Sequence, residues 1–340
     1  MPAARSSAKM TRMKLLIATH HRLDLWIAPQ WFTDRLRKEF QPFEVVRLTS
    51  YDNMARELPE VEVAFTFSIR PEQLQFANKL RWVHSPAAAI HQFLYPEFVD
   101  SDIVLTNARE VHGPVVAEHV LALIFALAKR IPEDVRCQQK HLWAQEKLWL
   151  EGACPREVAG ATLGLVGLGS IGRNLAKHAS DLGMNVIAVR EHPERPKPDF
   201  VHEVLPAAGL NEMLSRADYV VLSAPLTPAT RGMIGHNQLA RMKPDGFLIN
   251  VGRGPLIDEA ALHDVLRARK IGGAALDVFE KEPLSPDSPL WDLDNLLITP
   301  HTAGMTAKLW ERHYTLFSEN LRRYLAGQPL LALVDKKHGY

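Results

Sequence analysis

Cysteine is scarce in this 340-residue chain, which contains only Cys137 and Cys154. Two isolated cysteines are too few for a disulfide framework or for a zinc cluster. The composition is typical of a protein that works in a reducing compartment, and we expect no metal site.

The chain also lacks an excess of one charge and any long hydrophobic run. Its 40 basic residues balance 39 acidic residues, which gives a formal net charge of +1, and no basic run is dense enough to indicate nucleic-acid binding. The longest apolar segment, near residues 120–128, is far shorter than the roughly 20 residues that span a bilayer. We therefore expect a soluble, cytoplasmic protein with no nucleic-acid or membrane partner.

The N-terminal tail, residues 1–13, contains basic residues and serines but no acidic residue. This pattern is faintly similar to an organellar transit peptide. A disordered tail, or an alternative start at Met10 or Met13, is the interpretation that we favour.

The remaining chain is long enough, at 46% hydrophobic residues, to bury two cores, so we expect two domains. In the first third, apolar runs that are each followed by turn or helix signals predict a small parallel α/β unit that ends near residue 108. The predicted strands of this unit are 14–19, 43–48, 62–67 and 80–84. No glycine fingerprint for a nucleotide occurs among them.

The segment His84–His91 follows the fourth of these strands. In an open parallel sheet, ligands bind at the carboxyl ends of the strands. The main-chain amides of Ala88 and Ala89 could therefore bind a small carboxylate. Alternatively, the stretch is the start of an alanine-rich helix that faces solvent.

A helix that is apolar nearly all round is predicted from Val115 to Arg130, with Pro114 near its first turn. Such a helix must be buried, and we expect it between the two domains or against a second subunit. Glu118 and His119 would be capping residues or cleft residues, and the capping role is the favoured one.

The second half is organised around Thr162–Gly172, where a short apolar run breaks into the pattern Gly-x-Gly-x-x-Gly. This predicts a strand, a tight turn and the start of a helix. Gly167 would allow the turn, Gly169 the close approach of a pyrophosphate, and Gly172 the packing of helix on strand, with helix amides directed at the phosphates. A second strand at 185–189 supports dinucleotide binding over a structural glycine turn in another α/β protein.

Further apolar runs predict four more strands, each followed by polar or glycine-rich residues that would meet at one edge of the sheet. These strands are 219–224, 247–251, 273–278 and 296–299, and a closing helix is predicted over 307–326.

Three residues behind these strands suit hydride transfer to a 2-keto acid. His301 could exchange a proton near neutral pH, and Glu282 would keep that histidine charged and oriented. The planar guanidinium of Arg253 could bind a carboxylate through two hydrogen bonds and polarise the adjacent ketone. Taken singly, each residue type lies more often on a solvated surface or in a satisfied core.

Together the motifs resemble the D-isomer-specific 2-hydroxyacid dehydrogenases, and the resemblance covers nearly the whole chain. The matching segments are Gly167–Gly172, Asn250–Gly254, Asp277–Pro283 and Thr299–Gly304, with upstream matches at Ile103–Ala108, Val116–His119 and Pro225–Gly232.

The resemblance implies an α/β fold with two parallel-sheet domains, in which a Rossmann dinucleotide-binding domain (109–303) is inserted into a flavodoxin-like substrate domain (14–108 and 304–335). It implies that His301 is the acid/base, Glu282 its partner and Arg253 the substrate anchor, and that the assembly is a homodimer. It further implies that Asp277 lies beside the nicotinamide carboxamide. The residues expected to bind the cofactor are Gly167, Gly169, Ser170, Ile171, Gly172, Arg190, Pro225, Thr230, Val251, Gly252 and Asp277.

Several positions depart from the family pattern. Ala89 and His91 stand where a glycine and an acid are common in the substrate loop of the family. Arg190 stands where an NAD-preferring member has an acid, and its guanidinium could pair with a 2′-phosphate, which predicts a preference for NADP over NAD. Alternatively, Arg190 faces solvent and Glu191 binds the ribose.

The expected function is therefore NAD(P)-dependent reduction of a small 2-keto acid such as glyoxylate or hydroxypyruvate. Glu282 argues against formate as the substrate, because formate dehydrogenases of this superfamily carry glutamine there, and the short C-terminal segment leaves no room for a serine-type regulatory domain. The alternative is a dinucleotide-sensing scaffold of the corepressor type that binds cofactor and turns over little of it.

Overall fold

The computed structural model describes residues 12–150 and 154–339. The prediction of a disordered tail over 1–13 falls outside these residues except at its last two positions. Of those, Met13 begins the first β-strand, one residue before the predicted start at Lys14.

The described chain divides into two compact units. The residues up to Val111 together with those from Ala307 onward form one of them, which we call the discontinuous unit. The other, His112–Thr306, is the continuous unit. The continuous unit is therefore inserted into the sequence of the discontinuous unit.

The discontinuous unit is built on a parallel five-stranded sheet. Its strands are β1 (Met13–Ala18), β2 (Phe43–Leu48), β3 (Val61–Thr66), β4 (Trp82–Ser85) and β5 (Val104–Asn107). Their order is β2-β1-β3-β4-β5, with every neighbouring pair parallel. This is the flavodoxin-like order, as predicted.

Helices cover both faces of this sheet. They are α1 (Gln30–Glu39), α2 (Met54–Glu57), α3 (Pro71–Leu74), α4 (Pro96–Val99) and, from the C-terminal segment, α12 (Leu309–Leu325). Leu15 and Ile17 of β1 are buried with Phe32 of α1 and Phe317 of α12, whereas Leu16 lies in a second cluster on the other face. Because neighbouring strand residues point to opposite faces, one continuous apolar run fills both layers.

The continuous unit is built on a parallel seven-stranded sheet. Its strands are β6 (Thr162–Val166), β7 (Asn185–Val189), β8 (Glu203–Leu205), β9 (Tyr219–Leu222), β10 (Phe247–Asn250), β11 (Gly273–Leu276) and β12 (Leu296–Ile298). The order is β12-β11-β10-β9-β6-β7-β8, again with every neighbouring pair parallel. When β6 is numbered as strand 1 and the sheet is followed from β8 to β12, the order is 3-2-1-4-5-6-7. The first six strands of this order have the Rossmann arrangement. The predicted fold class is therefore confirmed.

The helices of the continuous unit are α5 (Arg109–Ala128, which begins in the other unit), α6 (Ile131–Gln139), α7 (Gln145–Leu150), α8 (Ser170–Asp181), α9 (Leu210–Arg216), α10 (His236–Leu239) and α11 (Glu259–Arg267). Side chains of α5 and α8 are buried together with Leu163 and Leu165 of β6 on one face of the sheet. Leu262 of α11 belongs to the cluster on the opposite face.

The start of α5 corrects the sequence prediction. The helix begins at Arg109, six residues before the predicted start, and contains Pro114 in its interior. A proline disfavours helical geometry at the preceding residue largely through a clash with that residue's Cβ. Gly113 has no Cβ, so the helix passes through this position.

The greater length of α5 also bears on whether it could span a membrane. Of the described helices, α5 is long and apolar enough to cross a membrane, although half of its apolar stretch is buried inside the protein. Val120 and Ile124 are completely buried in the core beside the sheet. The sequence-based statement that the apolar segment is too short was therefore wrong, whereas the prediction that the helix is buried holds for this face.

Candidate active site

The glycine turn after β6 has the geometry of a dinucleotide cradle. Gly167 has a φ of +99°, and a Cβ there would lie 3.0 Å from the amide nitrogen of Ala224. A Cβ on Gly172 would lie 2.3 Å from the carbonyl oxygen of Gly167. Beside Gly169, in contrast, a Cβ would meet no atom within 4 Å. The turn is thus closed toward the protein and open at the residue where a pyrophosphate would approach.

Helix α8 begins directly behind this turn. Gly169 is its N-cap and Ser170 and Ile171 are its first residues, so the unpaired amides of the first turn lie next to the open side of Gly169. The site residues predicted from the glycine pattern are therefore adjacent. This arrangement fits a nicotinamide dinucleotide.

The loop after β9 is held by its own threonine. The Thr230 hydroxyl donates to the Pro225 carbonyl over 2.7 Å and accepts from the Thr227 amide over 2.8 Å. Pro225 and Thr230, both predicted cofactor residues, are thus two ends of one closed turn.

Arg190 follows β7, at the end of the second strand of the Rossmann order. Its Nη2 donates to the carbonyl oxygens of Arg195 and Pro193. Its Nη1 lies 3.5 Å from the carbonyl oxygen of Pro196. In this structure the guanidinium thus orders the loop at 193–196. The alternative, in which Arg190 faces solvent and Glu191 binds the ribose, stays a prediction.

Arg253 lies in a turn that Asn250 organises. The Asn250 side chain accepts from the Gly252 amide over 3.1 Å and donates to the Arg253 carbonyl over 3.0 Å. The Arg253 Nη1 donates to the Gly252 carbonyl over 2.6 Å. Burial lowers the pKa of Arg253 from its ordinary value, and the negative charge of Glu282 opposes that shift. The guanidinium stays charged at any working pH.

His301 and Glu282 form a direct pair. The distance from His301 Nδ1 to Glu282 Oε2 is 2.6 Å, and Glu282 Oε1 accepts from the Phe279 amide over 3.0 Å. The His301 side chain is 53% exposed, so the imidazole is anchored on one side and accessible on the other. His301 also has a φ of +54°, in the left-handed region.

Gly254 sits where the Arg253 turn touches the Glu282 loop. A Cβ on Gly254 would lie 1.9 Å from the carbonyl carbon of Phe279. Backbone cannot yield as a flexible side chain can, so the two loops must fit each other at this point.

Gly254→Ala should therefore separate these loops and lower the free energy of unfolding by about 1–3 kcal/mol, a usual range for overpacking. Gly235→Ala is the matched control, because the nearest atom to its Cβ lies 3.9 Å away and the expected loss is at most about 1 kcal/mol. Urea unfolding of both variants measures the difference. Equal stability of the two variants would contradict the prediction.

Ala88 lies in a bend of the discontinuous unit and Ala89 directly follows it, and neither is in a helix, so the predicted alternative of a helix start is wrong. The Ala88 carbonyl accepts from Asn107 Nδ2 over 2.8 Å, which fixes the bend. Among the hydrogen bonds of the described residues, none uses the amide of Ala88 or Ala89.

Asp277 is completely buried behind β11. Its Oδ1 accepts from the Thr299 hydroxyl over 2.6 Å and from the Thr302 amide over 2.9 Å, and its Oδ2 accepts from the Ala303 amide over 3.1 Å. The carboxylate thus holds the segment that contains His301. The sequence singled out Asp277 but did not show these partners.

Sequence reasoning assigned no chemical role to Asn250 and favoured a capping role for His119. His119 Nε2 lies 3.2 Å from Thr299 Oγ1, on the side of the sheet edge that carries His301. The sequence does show that Asn250 is a polar residue at the end of a buried strand and that His119 is a polar residue in an apolar helix. It does not show which residues these two side chains contact.

Comparison with known proteins places the chain. The D-isomer specific 2-hydroxyacid dehydrogenase model for the NAD binding domain matches residues 121–303. The glyoxylate reductase of Korarchaeum cryptofilum is 32% identical over 324 residues, which cover 94% of this chain and 92% of that protein. The D-3-phosphoglycerate dehydrogenase of Archaeoglobus fulgidus is 31% identical over 305 residues, which cover 89% of this chain and 56% of that protein. The chain spans about half the length of the phosphoglycerate dehydrogenases that it matches.

Among solved structures, a D-isomer specific 2-hydroxyacid dehydrogenase from Xanthobacter autotrophicus Py2 in complex with NADPH and MES is 29% identical, with a TM-score of 0.82. The alignment covers 97% of this chain and 100% of that one. By the sequence match, the near full-length relative and the shared fold, the chain belongs to the D-isomer-specific 2-hydroxyacid dehydrogenase family.

Proposed function

We propose that the protein is an NAD(P)-dependent D-2-hydroxyacid dehydrogenase that reduces a small 2-keto acid of the glyoxylate or hydroxypyruvate type. The observation that carries this proposal is the 2.6 Å pair between His301 and Glu282, together with Arg253 in the turn that packs against the Glu282 loop. A full-length relative named glyoxylate reductase supports the substrate class.

His301 would be the proton donor. Glu282 is bound to Nδ1, which leaves Nε2 to exchange a proton with the substrate oxygen. The carboxylate also stabilises the imidazolium before the proton is given up. When bound, the nicotinamide supplies the hydride, and the proton from His301 completes the reduction of the ketone to the alcohol.

Arg253 would bind the substrate carboxylate and polarise the ketone. Its guanidinium can donate two parallel hydrogen bonds, and it stabilises negative charge that develops on the ketone oxygen. We also propose that the amides of Ala88 and Ala89 donate to the carboxylate, because their bend is fixed and no described acceptor uses them.

The cofactor would be held by the glycine turn and the strand ends around it. Gly169 leaves room for the pyrophosphate, Ser170 and Ile171 contribute helix amides, and Gly167 and Gly172 shape the turn. The other residues in this proposed set are Arg190, Pro225, Thr230, Val251, Gly252 and Asp277. A related structure that contains NADPH supports this cofactor class.

Within this site we propose that Arg190 confers a preference for NADPH. Arg190→Ala should raise the KM for NADPH by about tenfold to a hundredfold, the equivalent of one charge-assisted contact of about 1.5–3 kcal/mol, and leave the KM for NADH close to its original value. Steady-state rates with each cofactor measure this. Lys177→Ala, which removes a cation paired with Asp181 on α8, is the control.

An equal rise in KM for both cofactors would mean that Arg190 acts only by ordering the loop at 193–196. An unchanged KM for NADPH would remove Arg190 from the cofactor site.

The test of the function is the initial rate of NADPH and NADH oxidation with glyoxylate, hydroxypyruvate, pyruvate and phenylpyruvate. Strong turnover of one keto acid is the expected result. Tight cofactor binding without turnover would favour the dinucleotide-sensing scaffold instead.

We further propose that the protein is a cytoplasmic homodimer. Apolar side chains are exposed in one stretch of the continuous unit, namely Phe125, Ile131, Val135, Leu142 and Trp143, and a run of this kind is typical of a contact surface. Sedimentation velocity gives the mass, and a monomer at micromolar concentration would contradict the proposal.

A further inference from the structure

Several hydrogen bonds that attach the loop of His301 to the sheet converge on one residue, Asp277. Beyond the bonds of its carboxylate to Thr299, Thr302 and Ala303, Asp277 accepts from the His301 amide through its own carbonyl oxygen, over 2.9 Å. The backbone on both sides of the imidazole therefore depends on the position of Asp277.

This dependence is important because the backbone of His301 is in the left-handed region. A φ of +54° is uncommon for residues with a Cβ, and such conformations persist only where the surroundings hold them. If the Asp277 carboxylate rotated away, the amides of Thr302 and Ala303 would lose their acceptor. The loop would then be free to relax.

Helix α5 supplies a group that contacts the Asp277 carboxylate from behind. His119 Nε2 lies 3.2 Å from Thr299 Oγ1 and 3.7 Å from Asp277 Oδ1. The single hydroxyl proton of Thr299 is donated to Asp277. Thr299 must therefore accept from His119, and this places a proton on Nε2.

The charge of His119 follows from its surroundings. Burial lowers the pKa of His119 from its ordinary value, and the nearby Asp277 carboxylate opposes that shift. Burial thus favours the neutral imidazole. With its proton on Nε2, the imidazole donates along the chain His119, Thr299, Asp277. Donor and acceptor alternate along this chain without a conflict.

We propose that His119 is a positioning residue for the reaction, which acts through Thr299 and Asp277 to hold the loop of His301. The inference rests on the proposed function for its consequence in turnover, but the contacts themselves lie wholly within the continuous unit. His119 does not touch the reacting atoms in this proposal. His119 orients the Thr299 hydroxyl, and this hydroxyl orients the Asp277 carboxylate.

The test uses two matched pairs of variants of the full chain. His119→Ala removes the donor, whereas His119→Gln retains an amide donor on a side chain of similar reach. Thr299→Val removes the hydroxyl, and Thr299→Ser retains it. For each variant we would measure kcat and KM with NADPH and the preferred keto acid, the dissociation constant of NADPH, and amide hydrogen exchange by mass spectrometry.

We expect His119→Ala and Thr299→Val to lower kcat by about tenfold, equivalent to about 1.4 kcal/mol, with little change in the KM for the keto acid. Exchange should become faster in the segment 299–304 and stay unchanged in β10. The Gln and Ser variants should recover most of both losses. The double variant His119→Ala with Thr299→Val should be no worse than either single variant, because both break the same chain.

Unchanged kcat together with unchanged exchange at 299–304 would overturn the inference. So would a loss of kcat without faster exchange in that segment, or faster exchange throughout the unit that the Gln and Ser variants do not correct, since either result makes His119 act by another route. If the wild-type protein turns over no keto acid, the proposed function fails, and the exchange data alone then decide whether the chain of contacts holds the loop.

Discussion

Replacement of His301 by alanine should lower kcat by about 10²- to 10⁴-fold, the usual contribution of a positioned acid or base. The dissociation constant of NADPH should stay close to the wild-type value, because the imidazole is paired with Glu282 and follows β12, whereas the glycine turn follows β6. Pre-steady-state mixing with NADPH and the preferred keto acid would separate the chemical step from binding. Added imidazole should restore part of the lost rate.

His263→Ala is the matched control for this prediction. That histidine also lies beside a carboxylate, with 3.5 Å between its Nδ1 and Asp264 Oδ1, but it belongs to α11 and not to a strand end. Its removal should leave kcat unchanged. A His301→Ala enzyme with near wild-type turnover would contradict the assignment of the proton donor.

The second large effect concerns stability in acid and the discontinuous unit. His84 of β4 is completely buried between Phe65 and Phe317, with ring centroids 5.2 and 5.3 Å away. Thr106 accepts from Trp82 Nε1 over 2.8 Å, and its hydroxyl oxygen lies at the same distance from His84 Nδ1. The other ring nitrogen, Nε2, is buried and has no partner among the described residues.

Burial lowers the pKa of His84 from 6.5 to about 3. Between these two pH values the unfolded chain binds a proton that the folded chain does not, so stability falls as the pH is lowered. The expected loss is about 1.4 kcal/mol of unfolding free energy for each pH unit. Above pH 6.5 the contribution is complete and constant, and below pH 3 it declines no further.

Urea unfolding across this pH range tests the effect with His84→Phe, which retains an aromatic ring but cannot be protonated. The dependence of unfolding free energy on pH should become shallower by about 1.4 kcal/mol per unit than in the wild type. His91→Gln, which removes an exposed histidine of the same unit, should leave it unchanged. Parallel pH curves for wild type and His84→Phe would contradict the prediction.

Much of the fold followed from apolar runs alone. Strands β2 and β7 were predicted to the residue. In β7 the residues after Asn185 are buried, as expected of a parallel strand that is covered on both faces. β8 was not predicted, since Glu203–Leu205 is three residues long and lies at the sheet edge, where no apolar run is needed. The start of α5 was also missed, because Pro114 was interpreted as a first-turn residue. That interpretation did not consider that Gly113 has no Cβ to clash with the proline ring.

For the candidate site, the sequence provided residue types and their place behind parallel strands, and the structure brings His301 and Glu282 into contact. The sequence did not indicate which side chains form hydrogen bonds with main-chain groups. Arg190 was interpreted by its charge, yet it also donates to carbonyls of its own loop. The hydrogen bond from His119 to Thr299 joins positions 180 residues apart, and no local pattern indicates such a pair.

The interrupted course of the discontinuous unit determines the order in which a ribosome can complete it. The five strands of this unit emerge first, but α12, whose Phe317 packs on Trp82, follows only after the whole continuous unit has been synthesised. Trp82 and Phe65 therefore lack part of their cover for about 200 residues of elongation, or about 10–40 s at usual rates of synthesis. The nascent chain has to be protected from aggregation during that interval, whereas the continuous unit can fold as soon as it emerges.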